Sequence, residues 1–283
     1  MATGRCLCGA VRYEVNVAPV ATMHCHCSMC RKHHGVAFVT WTIVPTAGFR
    51  FTSGREHVAS YASSAHFHRS FCRICGSVAP EQTPSGQNVV IPAGNLEGDL
   101  DLEPQLHIFV GSKADWFSIT DSLPQHAEYP AEYGMQATPR AVVIPEGSNA
   151  VGSCLCGATA YEISGPPSRF MWCHCSRCRL ARGAAHATNI FFKAEDFQWT
   201  RGAEIVVDYP LPGAQFFAVA FCGRCGSSMP RVSADRNVVN VPAGSLDSAP
   251  AIPPLGHIYV NSKAGWDQIT DELPQFAEMP TRR

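Results

Sequence analysis

Seven cysteines occur twice along the chain in the same order, and this repetition constrains the fold more than any other feature. The first set is Cys6, Cys8, Cys25, Cys27, Cys30, Cys72 and Cys75, and the second is Cys154, Cys156, Cys173, Cys175, Cys178, Cys222 and Cys225. The first five recur at an offset of 148, from Cys6 to Cys154, and the last two at an offset of 150, from Cys72 to Cys222. A period of this length indicates two duplicated domains rather than a solenoid of short repeats.

The segments between the cysteines repeat as well, and they set the expected domain boundaries. "PAGNL" is matched by "PAGSL", "HIFVGSKADW" by "HIYVNSKAGW" and "ITDSLPQHAEYP" by "ITDELPQFAEMP". Between the two copies, a stretch that mixes Pro, Gly and Ser is typical of a linker. We therefore expect a first domain over 1–130, a linker over 131–148 and a second domain over 149–283.

The cysteine content, 14 of 283 residues, indicates metal binding rather than disulfides. Seven thiols per copy is an odd number, which disulfides alone cannot consume. The first residues do not resemble a secretory signal, and no apolar run approaches the roughly 20 residues needed to cross a bilayer. We therefore expect a cytoplasmic protein with no membrane partner, in a reducing compartment where clustered thiols hold metal. A net charge of -1 without a Lys/Arg run argues against a nucleic-acid partner.

The hydrophobic pattern of each copy predicts a mainly β fold. "AVRYEV" alternates apolar and polar residues as a half-buried strand does, and "VAFVTWTIV" is rich in β-branched and aromatic residues. Further short strands are predicted at "FRFTSG", "NVVIPAG" and "HIFV". One or two helical turns are expected between Cys27 and Gly35, and another in "SKADWFSI". No long amphipathic helix is present, so each copy is predicted to be a small sheet-based domain.

Two cysteine pairs in each copy predict a closed, structural metal site. Cys6 and Cys8 form a Cys-x-Cys pair, and Cys72 and Cys75 form a Cys-x-x-Cys turn whose following glycine lets the backbone bend around the sulfurs. Four thiolates form the tetrahedral set that a structural zinc takes. The second copy supplies Cys154, Cys156, Cys222 and Cys225. The alternative is that these are free cysteines buried as small core residues.

The remaining three cysteines of each copy predict a metal site of a different kind. They are Cys25, Cys27 and Cys30 in the first copy and Cys173, Cys175 and Cys178 in the second. Three protein ligands with one exchangeable position are the pattern of a reactive zinc. Two alternatives stay open: a fourth protein ligand that closes the site, and a redox-active thiol set without metal.

The histidines divide into shared and unshared positions. His24, His33 and His34 have no histidine at the matching positions of the second copy, so they cannot be ligands that both copies need. His26 and His174 are shared but lie between two cysteines that point the other way, which favours a pocket role over metal ligation. His107 and His257 are also shared, and the simplest interpretation is that each is a core histidine whose hydrogen bonds are all made within the protein.

The quoted motifs, with "GRCLCGAVRYEV", "CHCSMCRK" and "FCRICGS", resemble the glutathione-dependent formaldehyde-activating enzyme family, which includes the centromere protein V branch. The resemblance covers nearly all of both copies and departs from typical members in the duplication. It implies a β-tent fold of stacked antiparallel sheets related to zinc ribbons. It also implies two zinc ions per domain, about four per chain: one held by the four-cysteine set, the other by the catalytic three-cysteine set.

The activity that the resemblance implies is the condensation of glutathione with formaldehyde, a carbon–sulfur lyase reaction in reverse. Glutathione is anionic, so a pocket for it needs cations. Arg31 and Arg179 follow the three-cysteine sets, and Lys113 and Lys263 lie in the shared "SKA". Together with His26 and His174 they are candidates for substrate binding, although solvated surface charges are equally expected.

Two functions compete on this evidence. The first is a zinc-dependent carbon–sulfur lyase or synthase acting on adducts of a small thiol, such as glutathione, with an aldehyde such as formaldehyde. Three thiolates leave zinc a poor Lewis acid, which favours thiol binding over water activation. The second is a non-catalytic zinc-stabilised module that binds a protein partner. Both copies keep all seven cysteines, so neither copy is discarded as inactive.

Overall fold

The structure, a computed structural model, describes residues 1–65, 67–98, 102–133 and 150–280. Most of the predicted linker 131–148 lies outside these residues. The described chain consists of short β-strands with two α-helices of seven residues each. The predicted fold class, mainly β with short helical turns, is confirmed. None of the described helices has the length and apolar character needed to cross a membrane.

The first copy contains eleven described strands and one α-helix. The strands are β1 (Ala2–Arg5), β2 (Arg12–Val15), β3 (Ala21–Cys25), β4 (Val39–Pro45), β5 (Phe49–Ser53), β6 (Val58–Ala62), β7 (His68–Cys72), β8 (Glu81–Gln82), β9 (Asn88–Pro92), β10 (Leu96–Glu97) and β11 (His107–Ile108). Helix α1 (Ser28–His34) follows β3. The described strands form sheets in the orders β10-β1-β2-β5, β11-β3-β4-β9-β8 and β6-β7.

The second copy repeats this arrangement with small differences at the sheet edges. Its described strands are β12 (Ala150–Ser153), β13 (Ala160–Ile163), β14 (Arg169–Cys173), β15 (Ala187–Phe192), β16 (Phe197–Arg201), β17 (Val206–Pro210), β18 (Ala218–Cys222), β19 (Ser228–Met229), β20 (Arg231–Ser233), β21 (Val238–Pro242), β22 (His257–Ile258) and β23 (Gln275–Phe276). Helix α2 (Ser176–Arg182) follows β14. The sheet orders are β12-β13-β16, β20-β21-β15-β14-β22-β23 and β17-β18-β19.

Burial follows the alternation read from the sequence. In β2, Tyr13 and Val15 are buried whereas Arg12 is exposed. Nearly all strand pairs are antiparallel, but β11 lies parallel to β3, with His107 opposite His24 and Ile108 opposite Cys25. This register places the "HIFV" segment directly beside the three-cysteine motif. The helical turn expected in "SKADWFSI" forms as a single hydrogen-bonded turn and not as an α-helix: the Phe117 amide donates to the Ala114 carbonyl oxygen at 3.0 Å, after a 3-10 turn at Val110–Ser112.

Both α-helices begin at a cysteine and end at a glycine. The Cys27 sulfur accepts a hydrogen bond from the Cys30 amide at 3.3 Å, so the thiol serves as the N-cap. Gly35 ends α1 with a φ of 71°, a left-handed conformation that favours glycine. Cys175 and Gly183 do the same for α2. The expected helical turn from Cys27 to Gly35 is therefore confirmed, and its start is fixed by two of the cluster cysteines.

The two copies pack against each other through reciprocal helix contacts, and the "PAG" motif makes these contacts possible. Helix α1 lies on the turn at Ala243–Ser245, and α2 lies on the turn at Ala93–Asn95. A Cβ at Gly244 would lie 2.3 Å from the Arg31 carbonyl oxygen, and one at Gly94 would lie 2.2 Å from the Ala184 amide nitrogen. Only glycine permits this approach, which explains why the motif occurs in both copies.

A buried ion pair joins the copies on one side of this interface. The Lys32 ammonium, from α1, lies 2.7 Å from the Asp247 carboxylate and donates to the Ser153 carbonyl oxygen at 2.8 Å. The matching residue of α2 is Leu180, which packs instead in the apolar cluster around the first copy's Cys6. The two helices therefore make similar backbone contacts, but one side of the interface holds an ion pair and the other holds apolar packing.

Candidate metal centres

Each copy brings its four-cysteine set together as a compact cluster. The two described clusters are Cys6, Cys8, Cys72 and Cys75, and Cys154, Cys156, Cys222 and Cys225, with the sulfurs of each cluster within 4.8 Å of one another. The Cys6 and Cys8 sulfurs are 3.3 Å apart, and those of Cys8 and Cys72 are 3.8 Å apart. Each cluster joins a turn after β1 or β12 to the turn after β7 or β18.

The spacing and surroundings of these sulfurs fit a tetrahedral zinc. Zn–S bonds of about 2.3 Å place the sulfurs of a tetrahedron about 3.8 Å apart. The Val11 amide donates to the Cys6 sulfur at 3.3 Å, and the Thr159 amide does the same for Cys154. Hydrogen bonds with Cys6 and Cys75 raise the pKa of Cys72, whereas hydrogen bonds with Cys6 and Cys72 lower the pKa of Cys75, so a cation is needed to hold all four crowded thiols as thiolates. A metal is thus the group that this arrangement suits.

The three-cysteine sets also come together, at the junction of a strand and a helix. They are Cys25, Cys27 and Cys30, and Cys173, Cys175 and Cys178, and the sulfurs within each set lie within 4.8 Å of one another. In the first copy, β3 ends at Cys25, while Cys27 and Cys30 belong to the first turn of α1. Among the described residues, no His, Asp, Glu or further Cys joins either set as a fourth ligand.

A buried arginine that sequence reasoning missed contacts the first of these sets. The Arg69 side chain, on β7, is 9% exposed, and its Nη1 lies 3.5 Å from the Cys30 sulfur. Although burial lowers the pKa of Arg69, the Cys30 and Cys27 thiolates raise it, so the guanidinium stays charged. Hydrogen bonds with Cys25 and Cys27, followed by the Arg69 charge, lower the pKa of Cys30.

The second copy carries its own unshared arginine near the matching set. Val219 occupies the position of Arg69, so β18 provides no cation. Instead Arg182, 6% exposed, lies four residues after Cys178 on α2, on the same helix face. The matching residue in α1 is His34, whose pKa burial lowers to about 3, so it is neutral. An alignment of the two copies could have found both arginines, because each stands opposite an uncharged residue in the other copy.

The His26 ring points away from the cysteines and into a hydrogen-bonded chain. Its Nε2 lies 2.8 Å from the His107 Nδ1, and the His107 Nε2 lies 3.0 Å from the Asp121 carboxylate. Because the carboxylate accepts from the His107 Nε2–H, the His107 Nδ1 accepts from His26. His26 is fully buried, and burial lowers its pKa to about 3. His107 is thus satisfied, as expected, but as the middle link of a chain.

The second copy extends the same chain by one carboxylate. The His174 Nε2 lies 2.8 Å from the His257 Nδ1, and the His257 Nε2 lies 3.1 Å from Asp271. The His174 Nδ1 also lies 3.1 Å from Asp267, which replaces the Phe117 that stacks on His26 in the first copy. The second chain therefore has a carboxylate at each end, whereas the described first chain has one carboxylate, Asp121.

A cavity of about 690 Å³ lies between the copies beside these histidine chains. Its walls include His24, Phe38 and Phe117 from the first copy and Trp172 and His186 from the second. The cavity is lined by carboxylates, imidazoles and aromatic rings, and by no cysteine, lysine or arginine among the described residues. An anionic thiol such as glutathione is therefore a poor match for this cavity. The cysteine sets are the better candidates for thiol chemistry.

Three of the predicted substrate-binding cations donate hydrogen bonds to backbone carbonyl oxygens. The Lys113 ammonium donates to the Phe117 carbonyl oxygen at 2.6 Å, and the Lys263 ammonium donates to that of Asp267 at 2.6 Å. Both lysines thus hold the turn that follows them. The Arg31 Nη2 donates to the Ser112 carbonyl oxygen at 3.2 Å. Burial lowers the pKa of Arg31 and of Arg179, and the nearby Cys27 and Cys175 thiols partly oppose this.

Comparison with known proteins agrees with the cysteine geometry. The family model described as glutathione-dependent formaldehyde-activating enzyme matches residues 1–112 and again residues 149–262, which together exceed half of the chain. The chain belongs to this family. It carries the family's pattern twice, so the predicted tandem duplication is confirmed, and each matched segment contains all seven cysteines of its copy.

Two curated proteins are similar to part of this chain, each at 31% identity. A putative glutathione-dependent formaldehyde-activating enzyme of Halomonas elongata is 31% identical over 124 residues, 41% of this chain and 79% of the relative. An uncharacterized lyase of Schizosaccharomyces pombe is also 31% identical over 124 residues, 42% of this chain and 85% of the relative.

A solved structure of a Rhodobacter sphaeroides protein is 26% identical and aligns over 35% of this chain and 91% of its own, with a TM-score of 0.29. A score this low carries no argument about the fold.

Proposed function

We propose that the chain is a zinc-dependent carbon–sulfur lyase or synthase that makes or breaks adducts between a small thiol and an aldehyde. Glutathione and formaldehyde are the first candidates, because one relative and the matching family are named for them. The lyase name of the second relative is consistent with the reverse reaction. The four-cysteine clusters would then hold structural zinc, and the three-cysteine sets would hold catalytic zinc.

One observation carries this proposal: each copy presents three clustered sulfurs with no fourth protein ligand among the described residues. A structural site of the same metal would close with four protein ligands, as the neighbouring cluster does. In the first copy, the Arg69 guanidinium lies 3.5 Å from the Cys30 sulfur, and as a cation it cannot bind a metal. The trio therefore fits a site that receives its fourth ligand from outside.

When bound to the three thiolates, zinc would supply a coordination position at which a thiol loses its proton at neutral pH. The chain's own residues orient and enclose this position. The hydrogen bond that the Cys30 amide donates to the Cys27 sulfur fixes the start of α1, and β11 lies beside Cys25 through the pairing of Ile108. Arg31 follows Cys30, and its Nε is buried with no hydrogen-bond partner among the described residues, so a thiol that enters the site could place a carboxylate against this guanidinium.

The test is the formation of S-hydroxymethylglutathione from glutathione and formaldehyde, followed by carbon-13 NMR with labelled formaldehyde. The wild-type chain is expected to accelerate approach to equilibrium above the uncatalysed rate. Cys25→Ser and Cys173→Ser should each remove part of this activity, and the double variant should remove all of it. Glu195→Gln, on an exposed residue whose side chain pairs with the exposed Lys193, is the control and should keep full activity.

Two results would contradict the proposal. If the double variant catalysed the exchange as well as the wild-type chain, the trios would not be the catalytic sites. If no thiol, including cysteine and coenzyme A besides glutathione, reacted faster with any of several aldehydes in the presence of the chain, the non-catalytic zinc module would be the better description. Unequal losses from the two single variants would show that one copy carries most of the activity.

A further inference from the structure

The two three-cysteine sets share their sulfurs but take a buried cation from different places. Arg69 reaches the first set from β7, where the second copy has Val219. Arg182 lies one helical turn after Cys178 at the end of α2, within electrostatic reach of the Cys178 thiol, and the first copy has His34 at this position. Each copy thus has one buried guanidinium beside its trio, and the residue that replaces it in the other copy is neutral.

The charge of the metal-loaded trio explains why a cation is needed there. Three thiolates on a divalent zinc leave a formal charge of minus one, in a cluster whose Cys25 and Cys30 are 3% and 4% exposed. Burying such a charge without a partner is costly. Arg31, which both copies share as Arg179, already offers one positive charge next to the trio. The unshared guanidinium is therefore one positive charge more than the resting site requires.

We propose that Arg69 and Arg182 are positioning residues that make each trio accept an anionic fourth ligand, a thiolate, in place of neutral water. This inference rests on the proposed function and deepens it by naming the charge state of the thiol at the site. When the thiolate binds, the negative charge it brings is matched by the surplus guanidinium, and the buried site becomes neutral. The proton of the thiol leaves to solvent.

The geometry of Arg69 supports a role at the site rather than in general packing. Its Nη1 donates to the Cys30 sulfur, and its Nε is buried without a partner among the described residues. A guanidinium carries five donors in a planar fork, so it can contact a second sulfur while keeping the first. For Arg182 the support is its burial and its place on α2, four residues after Cys178.

The test measures thiol binding at one trio at a time in the cobalt-loaded full-length chain, by the absorption bands of cobalt. Cys173→Ser with Cys178→Ser leaves only the first trio able to respond, and Cys25→Ser with Cys30→Ser leaves only the second. The probe is 2-mercaptoethanol, because it has no carboxylate. In the first-trio chain, Arg69→Val should weaken 2-mercaptoethanol binding by about tenfold or more, the size of a lost charge-assisted hydrogen bond.

The second copy supplies the matched controls. Arg69→Val should leave the second-trio chain unchanged, whereas Arg182→His should weaken it and leave the first-trio chain unchanged. Adding Val219→Arg to Arg182→His should restore most of the lost affinity, because the guanidinium then comes from β18, as it does from β7 in the first copy. Arg69→Gln, which keeps a polar side chain, replaces Arg69→Val if that variant does not fold.

The outcomes separate this inference from the proposed function. If 2-mercaptoethanol perturbs neither wild-type trio, the proposed function fails. If it binds but Arg69→Val, Arg69→Gln and Arg182→His do not change its affinity, the arginines are structural and the inference alone is overturned. An effect seen with glutathione and not with 2-mercaptoethanol would also overturn it, because the arginines would then bind the carboxylates of glutathione.

Discussion

The contact of α1 with Gly244 gives a prediction whose size can be worked from the structure. A Cβ at this position would lie 2.3 Å from the Arg31 carbonyl oxygen and 2.4 and 2.5 Å from the Val36 amide nitrogen and carbonyl oxygen. All three are backbone atoms, so no side chain can rotate away, and the end of α1 must shift by roughly 1 Å to restore ordinary contacts. Gly244→Ala is therefore an overpacking substitution at the interface between the copies.

Overpacking of this kind costs about 1–3 kcal/mol, and the loss of glycine's freedom in the unfolded chain offsets about 0.4–1 kcal/mol of it. We expect a net loss of about 1–2 kcal/mol, which lowers the Tm by about 2–4 °C per kcal/mol in a chain of this size. The assay is urea unfolding of the metal-saturated chain, followed by tryptophan fluorescence. Gly94→Ala, at the reciprocal contact, should behave alike.

Gly265→Ala is the matched control, because a Cβ there meets nothing within 4 Å and the backbone conformation is ordinary. Its stability should change by less than about 0.5 kcal/mol. If Gly244→Ala unfolded at the same urea concentration as Gly265→Ala, the close packing of the copies would be refuted. Because α1 carries Cys30, Gly244→Ala should also weaken cobalt binding at the first trio and spare the second.

Three further predictions concern stability. Asp247→Asn should lower the free energy of unfolding by about 3–5 kcal/mol, because it leaves Lys32 charged and buried. The double variant Lys32→Met with Asp247→Asn should lose clearly less stability. Equal losses from the two variants would refute a buried ion pair. Burial holds the pKa of His186 well below its unfolded value near 6.5, so unfolding takes up a proton and the free energy of unfolding falls as pH drops from about 7 to 5. His186→Phe, which introduces the residue found at the matching position Phe38, should make this fall smaller in urea titrations at several pH values. An unchanged dependence of stability on pH would contradict the prediction. Cys72→Ser should lower the urea midpoint more than Cys25→Ser, since it opens the closed four-sulfur cluster; the reverse order would mean that the trio is the main structural site.

The sequence predicts the clustering of the cysteines well, because the spacing within each trio is local. Cys25, Cys27 and Cys30 lie within six residues, and Gly35 ends the helix that holds two of them, so the trio can be recognised without any long-range contact. The shared turn around Cys72 and Gly76 is equally local. Even so, Gly76 does more than bend the chain, because a Cβ there would meet the Phe221 ring of the other copy at 2.4 Å.

What the sequence could not predict depends on contacts between the copies and on residues that differ between them. Reasoning from positions that carry the same residue in both copies sets aside His24, which lines the cavity. It also misses Arg69, because the second copy has Val219 there. Lys113 is a predicted substrate-binding cation, and the sequence pattern does not show that its ammonium donates to the Phe117 carbonyl oxygen in the turn that follows it. No local pattern shows where an arginine in one strand will meet a cysteine 39 residues away in sequence.

The central claim is that each copy encloses one metal ion fully with protein sulfur and leaves another ion a position for a thiol. The most direct test is to load the chain with cobalt to saturation and titrate it with 2-mercaptoethanol while following the cobalt bands. The account predicts four cobalt ions per chain, of which two respond and bind one thiol each. A chain that holds four ions of which none responds, or whose trios hold no metal at all, would contradict it.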